Sequence, residues 1–278
     1  MRPVAALLLS LALPLVLVAG CAGEPSGSAS PGTSTSAAPR TDQPEGSSSI
    51  LPTPRKPLQD RVIVLDPGHQ LGNRNFPGEI ARRVPAGGMR KPCNTVGTET
   101  EAGYAEATFT WQVATLVRHR LERLGARVVL TRTANSEDRW GPCVDVRGRK
   151  GNRSGADLKL SIHADGSYAA GARGFHVIRP PDRAPWTDDI AAPSKRFALR
   201  TRAALRQAGF PYATYIAGGD GLDVRRDLGT LNLSDIPTVM VELGNMRSDA
   251  DAQVMSRASG RARYARALVA GIVATLKP

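Results

Sequence analysis

Val62-Ile63-Val64-Leu65-Asp66-Pro67-Gly68-His69 is the stretch from which the fold of this chain is read. Four consecutive apolar residues, three of them β-branched, fit a strand buried on both faces, and Asp-Pro-Gly ends it. His69 therefore falls at the carboxyl end of that strand. Ligands of open α/β sheets sit outside the carboxyl ends of the strands, so His69 is a candidate site residue, and so is any polar residue that ends a neighbouring strand.

Downstream, Phe109, Val113, Leu116, Val117, Leu121 and Leu124 recur at steps of three and four, with Gly125 as a stop, which predicts a helix from Tyr104. Arg127 to Thr131 reads as a strand and Val144 to about Arg153 as a short helix. Leu158, Leu160 and Ile162 then alternate with Lys159, Ser161 and His163, the signature of a strand with two distinct faces. Gly174 to Ile178 suggests a further strand, and Phe197, Thr201, Leu205 and Ala208 a helix ending at Gly209, with Arg196, Arg200, Arg202 and Arg206 off its stripe. Thr238 to Leu243 is the last strand, and Tyr264, Leu268, Ile272 and Leu276 mark a closing helix. The expected fold class is α/β, a single domain with a mainly parallel mixed sheet and helices on both faces. Gln70 to Thr100, rich in Gly, Pro, Asn and Arg, is too long for a simple connection and reads as a functional loop or hairpin near the site.

Upstream, residues 1–20 carry an early Arg2, an apolar run from Val4 to Val18 and the small pair Ala19-Gly20, the pattern of a secretory signal. Val18-Ala19-Gly20-Cys21 resembles a lipobox, so Cys21 is the expected lipidated first residue of the mature chain. Residues 21–57 are Ser, Pro, Thr, Gly and Ala with little aliphatic bulk, and read as a disordered tether. The folded domain is expected over 58–278. It carries the whole net charge of +12, because the four cations before Arg61 are cancelled by four acids. A basic domain points to an anionic partner. Export and an aromatic content of 5% argue against nucleic acid. With Cys21 assigned to lipid, Cys93 and Cys143 remain as a pair in an oxidising compartment, where a disulfide is the natural reading and a loop of this size is worth about 4 kcal/mol.

Three polar residues end core strands: His69, His163 and Glu242. Glu106 joins them from the helix, because it lies three residues before Phe109 and seven before Val113, on the apolar stripe in the first turn. A carboxylate on that side needs a strong partner, which a helix dipole or a metal ion provides. Two imidazoles and a carboxylate with an open fourth position are a ligand set of hydrolytic zinc sites. His119, between Arg118 and Arg120, reads as solvated. His176, within Phe175-His176-Val177, reads as a core or substrate-edge residue.

Taken in order, VIVLDPGH (62–69), Glu106 at a helix start, Ser161-Ile162-His163-Ala164-Asp165, and Val241-Glu242-Leu243-Gly244-Asn245 with Asp249 behind it resemble the zinc-dependent N-acetylmuramoyl-L-alanine amidases of the amidase-3 type. The resemblance covers the chain from Arg61 onward. It implies that His69, Glu106 and His163 bind Zn2+ and that Glu242 is the catalytic carboxylate. Glu99 and Glu101 compete with Glu106 by proximity alone, since neither lies on the helical stripe. The Cys93 loop and Gly141-Pro142-Cys143 look most like the mycobacterial single-domain members, which pair these cysteines; the lipobox and tether depart from that pattern. Asp66 and Asp165 are expected to orient the metal site from behind the histidines, and Asn245 to support Glu242 or touch substrate. The implied activity is hydrolysis of the amide between N-acetylmuramic acid and L-alanine, with stem peptides and glycan as partners, attachment to the membrane through lipid, and a monomeric state. The competing reading is a wall-binding lipoprotein of the same fold without activity.

Overall fold

The computed structural model describes residues 55–277. The signal segment and Cys21 lie outside the described residues, as does the tether up to residue 54. Leu58, just inside them, is already part of the core and its amide donates to the Leu124 carbonyl at 2.9 Å.

The first strand, β1 (Val62–Pro67), leads through a 3-10 turn (Leu71–Asn75) and a short α1 (Pro77–Ala81) into an antiparallel hairpin of β2 (Arg83–Pro85) and β3 (Arg90–Pro92). The Gln70–Thr100 segment is thus a structured excursion that contains a hairpin. Then follow α2 (Glu106–Arg123), β4 (Arg127–Leu130), α3 (Val144–Arg149), β5 (Leu158–Asp165), β6 (His176–Arg179) and α4 (Ala191–Gln207). The chain closes with β7 (Leu222–Val224), α5 (Gly229–Asn232), β8 (Thr238–Asn245), α6 (Asp249–Ser256) and α7 (Ala258–Leu276). The six-stranded sheet has the order β4-β1-β5-β8-β6-β7. β4, β1, β5 and β8 are mutually parallel, while β6 runs antiparallel to β8 and parallel to β7.

The sheet is covered unequally. Ile63, Leu65, Leu160, Ile162, Val239 and Val241 pack in the main core with Phe109, Val113, Phe197, Tyr264 and Leu268 of α2, α4 and α7. The opposite face is covered by short helices and loops, where Val64 meets Ile236, and Met240 meets Leu231. This second layer fits the expected sheet with helices on both faces. The Lys159 and Ser161 face of β5 is fully buried.

Lys159 is accommodated because its ammonium reaches the carbonyls at the end of α3, donating to Arg147 at 3.3 Å, to Gly148 and to Lys150 at 3.5 Å. Burial pushes its pKa down to about 8, with Asp66 and Asp235 opposing. A base whose folded pKa is depressed loses its proton before the unfolded chain does. Lys159 therefore makes stability rise between pH 8 and 10.5, by up to roughly 3 kcal/mol. Denaturant titrations of the wild type and Lys159→Met at pH 7.5 and pH 10 check this: the stability difference between the two chains is expected to move toward the wild type at the higher pH.

Candidate active site

The parallel register of β1, β5 and β8 aligns their carboxyl ends, with Asp66 beside Ser161 and His163 beside Glu242. His69 follows β1, and the N-terminal turn of α2 brings in Glu106. Between the pairs His163–Glu242 and Asp165–Asn245 the register shifts, with β8 carrying one residue more than β5. His69, Glu106, His163 and Glu242 line one cavity of about 430 Å3, walled also by Thr95, Val96 and Thr98.

His69, Glu106 and His163 present donor atoms that all lie within 4.8 Å of one another. Glu106 sits between the two rings, 3.1 Å from His69 Nε2 and 3.0 Å from His163 Nδ1. The two contacts end on different carboxylate oxygens, and one donor atom from each residue can converge on a shared ion. The donor set thus fits a divalent cation. Glu106 is itself held by the amides of Thr98 at 3.0 Å and Ala164 at 3.1 Å. His69 Nδ1 lies 3.0 Å from the Thr95 carbonyl, which fixes the proton on that nitrogen and turns Nε2 toward the cation position. Burial opposes a charged His69, but Glu106 and the Thr95 carbonyl outweigh it and raise the pKa. For Glu106, burial is likewise outweighed, here by the two histidines, and its pKa is lowered.

Glu242 is half-buried and differs from Glu106 in having an enclosed Oε2 without any hydrogen-bond partner. Removal from solvent, with Asp165 and Glu106 close by, pushes its pKa well above the ordinary value against the pull of Arg225. A carboxylate so placed is a ready proton acceptor.

Glycine is also required behind His163. A Cβ on Gly68 would lie 2.4 to 2.7 Å from the His163 ring. Gly68→Ala is expected to displace that ring and weaken metal binding by about 10- to 100-fold, while a far-ultraviolet spectrum stays unchanged; metal-buffer titration measures the loss.

A profile of the N-acetylmuramoyl-L-alanine amidase family matches residues 63–274. The chain belongs to that family. It is 43% identical over 232 residues to the N-acetylmuramoyl-L-alanine amidase Rv3717 of Mycobacterium tuberculosis, covering 82% of this chain and 91% of that protein. Among solved structures it is similar to the amidase Ami1 of Mycobacterium abscessus, with TM-score 0.72, 43% identity, and coverage of 79% of this chain and all of that one. Ami1 of Mycobacterium smegmatis gives TM-score 0.72 at 39% identity, with 79% and 98% covered.

Within this amidase fold the remaining candidates separate. Glu99 and Glu101 are exposed and stand apart from the cluster, as does exposed His119. Cys93 and Cys143 form a disulfide with Cα atoms 4.2 Å apart. Asp66 makes no hydrogen bond to either imidazole. It accepts from Arg147 at 2.6 Å, Ser161 at 2.6 Å and Thr131 at 2.5 Å. Arg147 in turn donates to the carbonyls of Pro67 at 2.8 Å, His69 at 2.6 Å and, through Nε, Pro142 at 2.9 Å. Burial resists ionisation of Asp66, but Arg147 and the hydroxyls hold its pKa below the usual carboxylate range. Arg132, also buried, donates to the carbonyls of Pro67 at 3.0 Å and Ala107 at 2.7 Å. Two guanidiniums thus fasten the turn on which His69 adopts a left-handed φ of 56°.

Asp165 accepts from the Tyr215 hydroxyl at 2.9 Å, facing Glu242 rather than His163. His176 is buried opposite Glu242 in the β6–β8 register, 3.7 Å from Asp165, and is not part of the ligand cluster. Asn245 does not touch Glu242. Its side chain bonds Ser167 through both N–H and carbonyl at 2.9 and 2.8 Å, the Ala172 carbonyl at 2.8 Å and the Arg247 amide at 3.1 Å. Arg147, Arg132, Thr95 and Tyr215 were not among the residues the sequence pointed to. In an arginine-rich chain, a buried guanidinium carries no distinguishing pattern.

Proposed function

We propose that the chain hydrolyses the amide joining the lactyl group of N-acetylmuramic acid to L-alanine in peptidoglycan, with zinc held by His69, Glu106 and His163. The observation that carries this reading is the unpartnered Glu242 carboxylate oxygen in the same cavity as the His-Glu-His cluster. Zinc bound there supplies a Lewis acid that makes hydroxide available near neutrality and polarises a carbonyl. Glu242 takes the proton of the attacking water. As the carbon–nitrogen bond breaks, Glu242 passes that proton to the departing amine of L-alanine and is regenerated. His69 keeps its orientation through Thr95, and Glu106 through Thr98 and Ala164.

The names of the relatives support action on the cell wall by an exported protein. We extend this to a signal peptide over 1–20, lipidation at Cys21, a tether over 21–57 and a monomeric catalytic domain over 58–278. Mass analysis of muropeptides after digestion tests the activity. Free stem peptides beginning at L-alanine are expected, and a chelator is expected to abolish them. Cleavage between sugars or within the peptide would overturn the assignment. Intact muropeptides from zinc-loaded protein that still binds the wall would favour the inactive reading.

A further inference from the structure

Beyond the cavity that holds the cluster, one surface feature has the form of a binding platform. Tyr168 is 75% exposed, the most exposed of the large hydrophobic side chains among the described residues. Its ring is nevertheless held. The Arg247 guanidinium lies 4.9 Å from the ring centroid and is itself bonded to Glu101 at 3.0 Å. Asn245 joins the two segments, since its side-chain oxygen accepts from the amides of both Ser167, beside Tyr168, and Arg247. A fixed aromatic side chain presented to solvent suits a ligand with an apolar face.

The position of this pair relates it to the reaction. Gly166, two residues before Tyr168, lines the main cavity and packs so closely on Thr98 that a Cβ would lie 2.2 Å from its hydroxyl oxygen. Val96, Gly97 and Thr98 form a wall shared with a second cavity of about 340 Å3, which Arg74 and Arg247 also line. Both guanidiniums there are already matched by carboxylates, Arg74 by Glu137 and Arg247 by Glu101. Glu99 also lines that groove and makes no ion pair among the described residues, so the groove carries a surplus carboxylate and favours an uncharged polyol over a carboxylate-bearing peptide. On the amidase reading, a substrate straddling the shared wall has its peptide on one side and its sugar on the other.

We propose that Tyr168, backed by Arg247 and positioned by Asn245, is a stacking platform for an N-acetylated hexosamine ring of the glycan strand. One ring face carries the guanidinium. The other receives the C–H face of the pyranose, whose partial positive charge complements the π cloud.

The inference rests on the amidase reading for the choice of sugar, but its test does not require turnover. The full chain, as wild type, Tyr168→Ala and Tyr168→Phe, is titrated by calorimetry with a peptide-free tetramer of N-acetylglucosamine. The alanine variant is expected to bind about tenfold more weakly, and the phenylalanine variant to stay within about twofold of the wild type. On polymeric peptidoglycan, Tyr168→Ala is expected to raise KM about tenfold with kcat nearly unchanged. Equal tetramer affinity in wild type and Tyr168→Ala overturns the proposal. So does a loss confined to glycan-free stem peptide, which would assign the platform to the other half of the substrate. If no variant cleaves peptidoglycan yet tetramer binding still depends on Tyr168, the platform stands and the amidase reading falls.

Discussion

Glu242→Ala is expected to lower amide hydrolysis by about 10^2- to 10^4-fold while metal affinity and fold remain as in the wild type. The reasoning is local. Glu242 is not among the three residues whose donor atoms converge, so its loss removes a proton acceptor and no ligand. Its enclosed Oε2 has no hydrogen-bond partner, so truncation leaves no donor stranded. His163→Ala supplies the contrast, because it removes a ring that Glu106 contacts at 3.0 Å and should lose metal and activity together. Dye release from labelled peptidoglycan, read beside metal analysis on the same preparations, separates the two. Full activity in Glu242→Ala would remove it from the mechanism.

Arg147→Met is expected to destabilise the fold by about 3 to 5 kcal/mol, the usual result of removing one partner from a buried ion pair. Arg147 and Asp66 are almost fully buried, with side-chain exposures of 3% and 0%. Methionine fills much of the volume but leaves Asp66 with two hydroxyls in place of a charge and the His69 carbonyl without its donor, while the Pro67 carbonyl keeps Arg132 and the Pro142 carbonyl keeps Asn94. Thermal unfolding should fall by roughly 6–20 °C for a domain of this size. A pH series sharpens the assignment. The Asp66 pKa is depressed in the folded chain, so its contribution is complete above the ordinary aspartate value of about 3.9 and is lost as pH falls below it. Wild type and variant should therefore converge in strong acid. A change under about 1 kcal/mol at neutral pH would mean that the pair is dispensable.

The elements legible in the sequence were those whose burial imposes a period. β1, α2, β8 and α7 each carry a run or stripe that one side of the sheet demands, and Glu106 was found because it interrupts such a stripe. The family motifs pointed to His69, Glu106, His163 and Glu242 for the same reason, since each lies at or near the end of a periodic element. Elsewhere local pattern ran out. The alternation in β5 correctly gave two faces but not their environment, because the layer over Lys159 and Ser161 is made of short α3, α5 and irregular chain with no period to read. The antiparallel direction of β6 follows from the path of its connections, which no residue in His176–Arg179 encodes. Asn245 and Asp165 were expected beside the site, but their partners Ser167, Arg247 and Tyr215 meet them only through loop geometry.

The two imidazoles meet Glu106 through different nitrogens, His69 through the far one and His163 through the near one. Side chains ending in an amide divide in the same way: glutamine reaches about as far as Nε2, and asparagine about as far as Nδ1. Mutational drift at this corner is therefore directional. A surrogate donor that could stand in at position 69 is one methylene too long at position 163, and the surrogate for 163 falls short at 69.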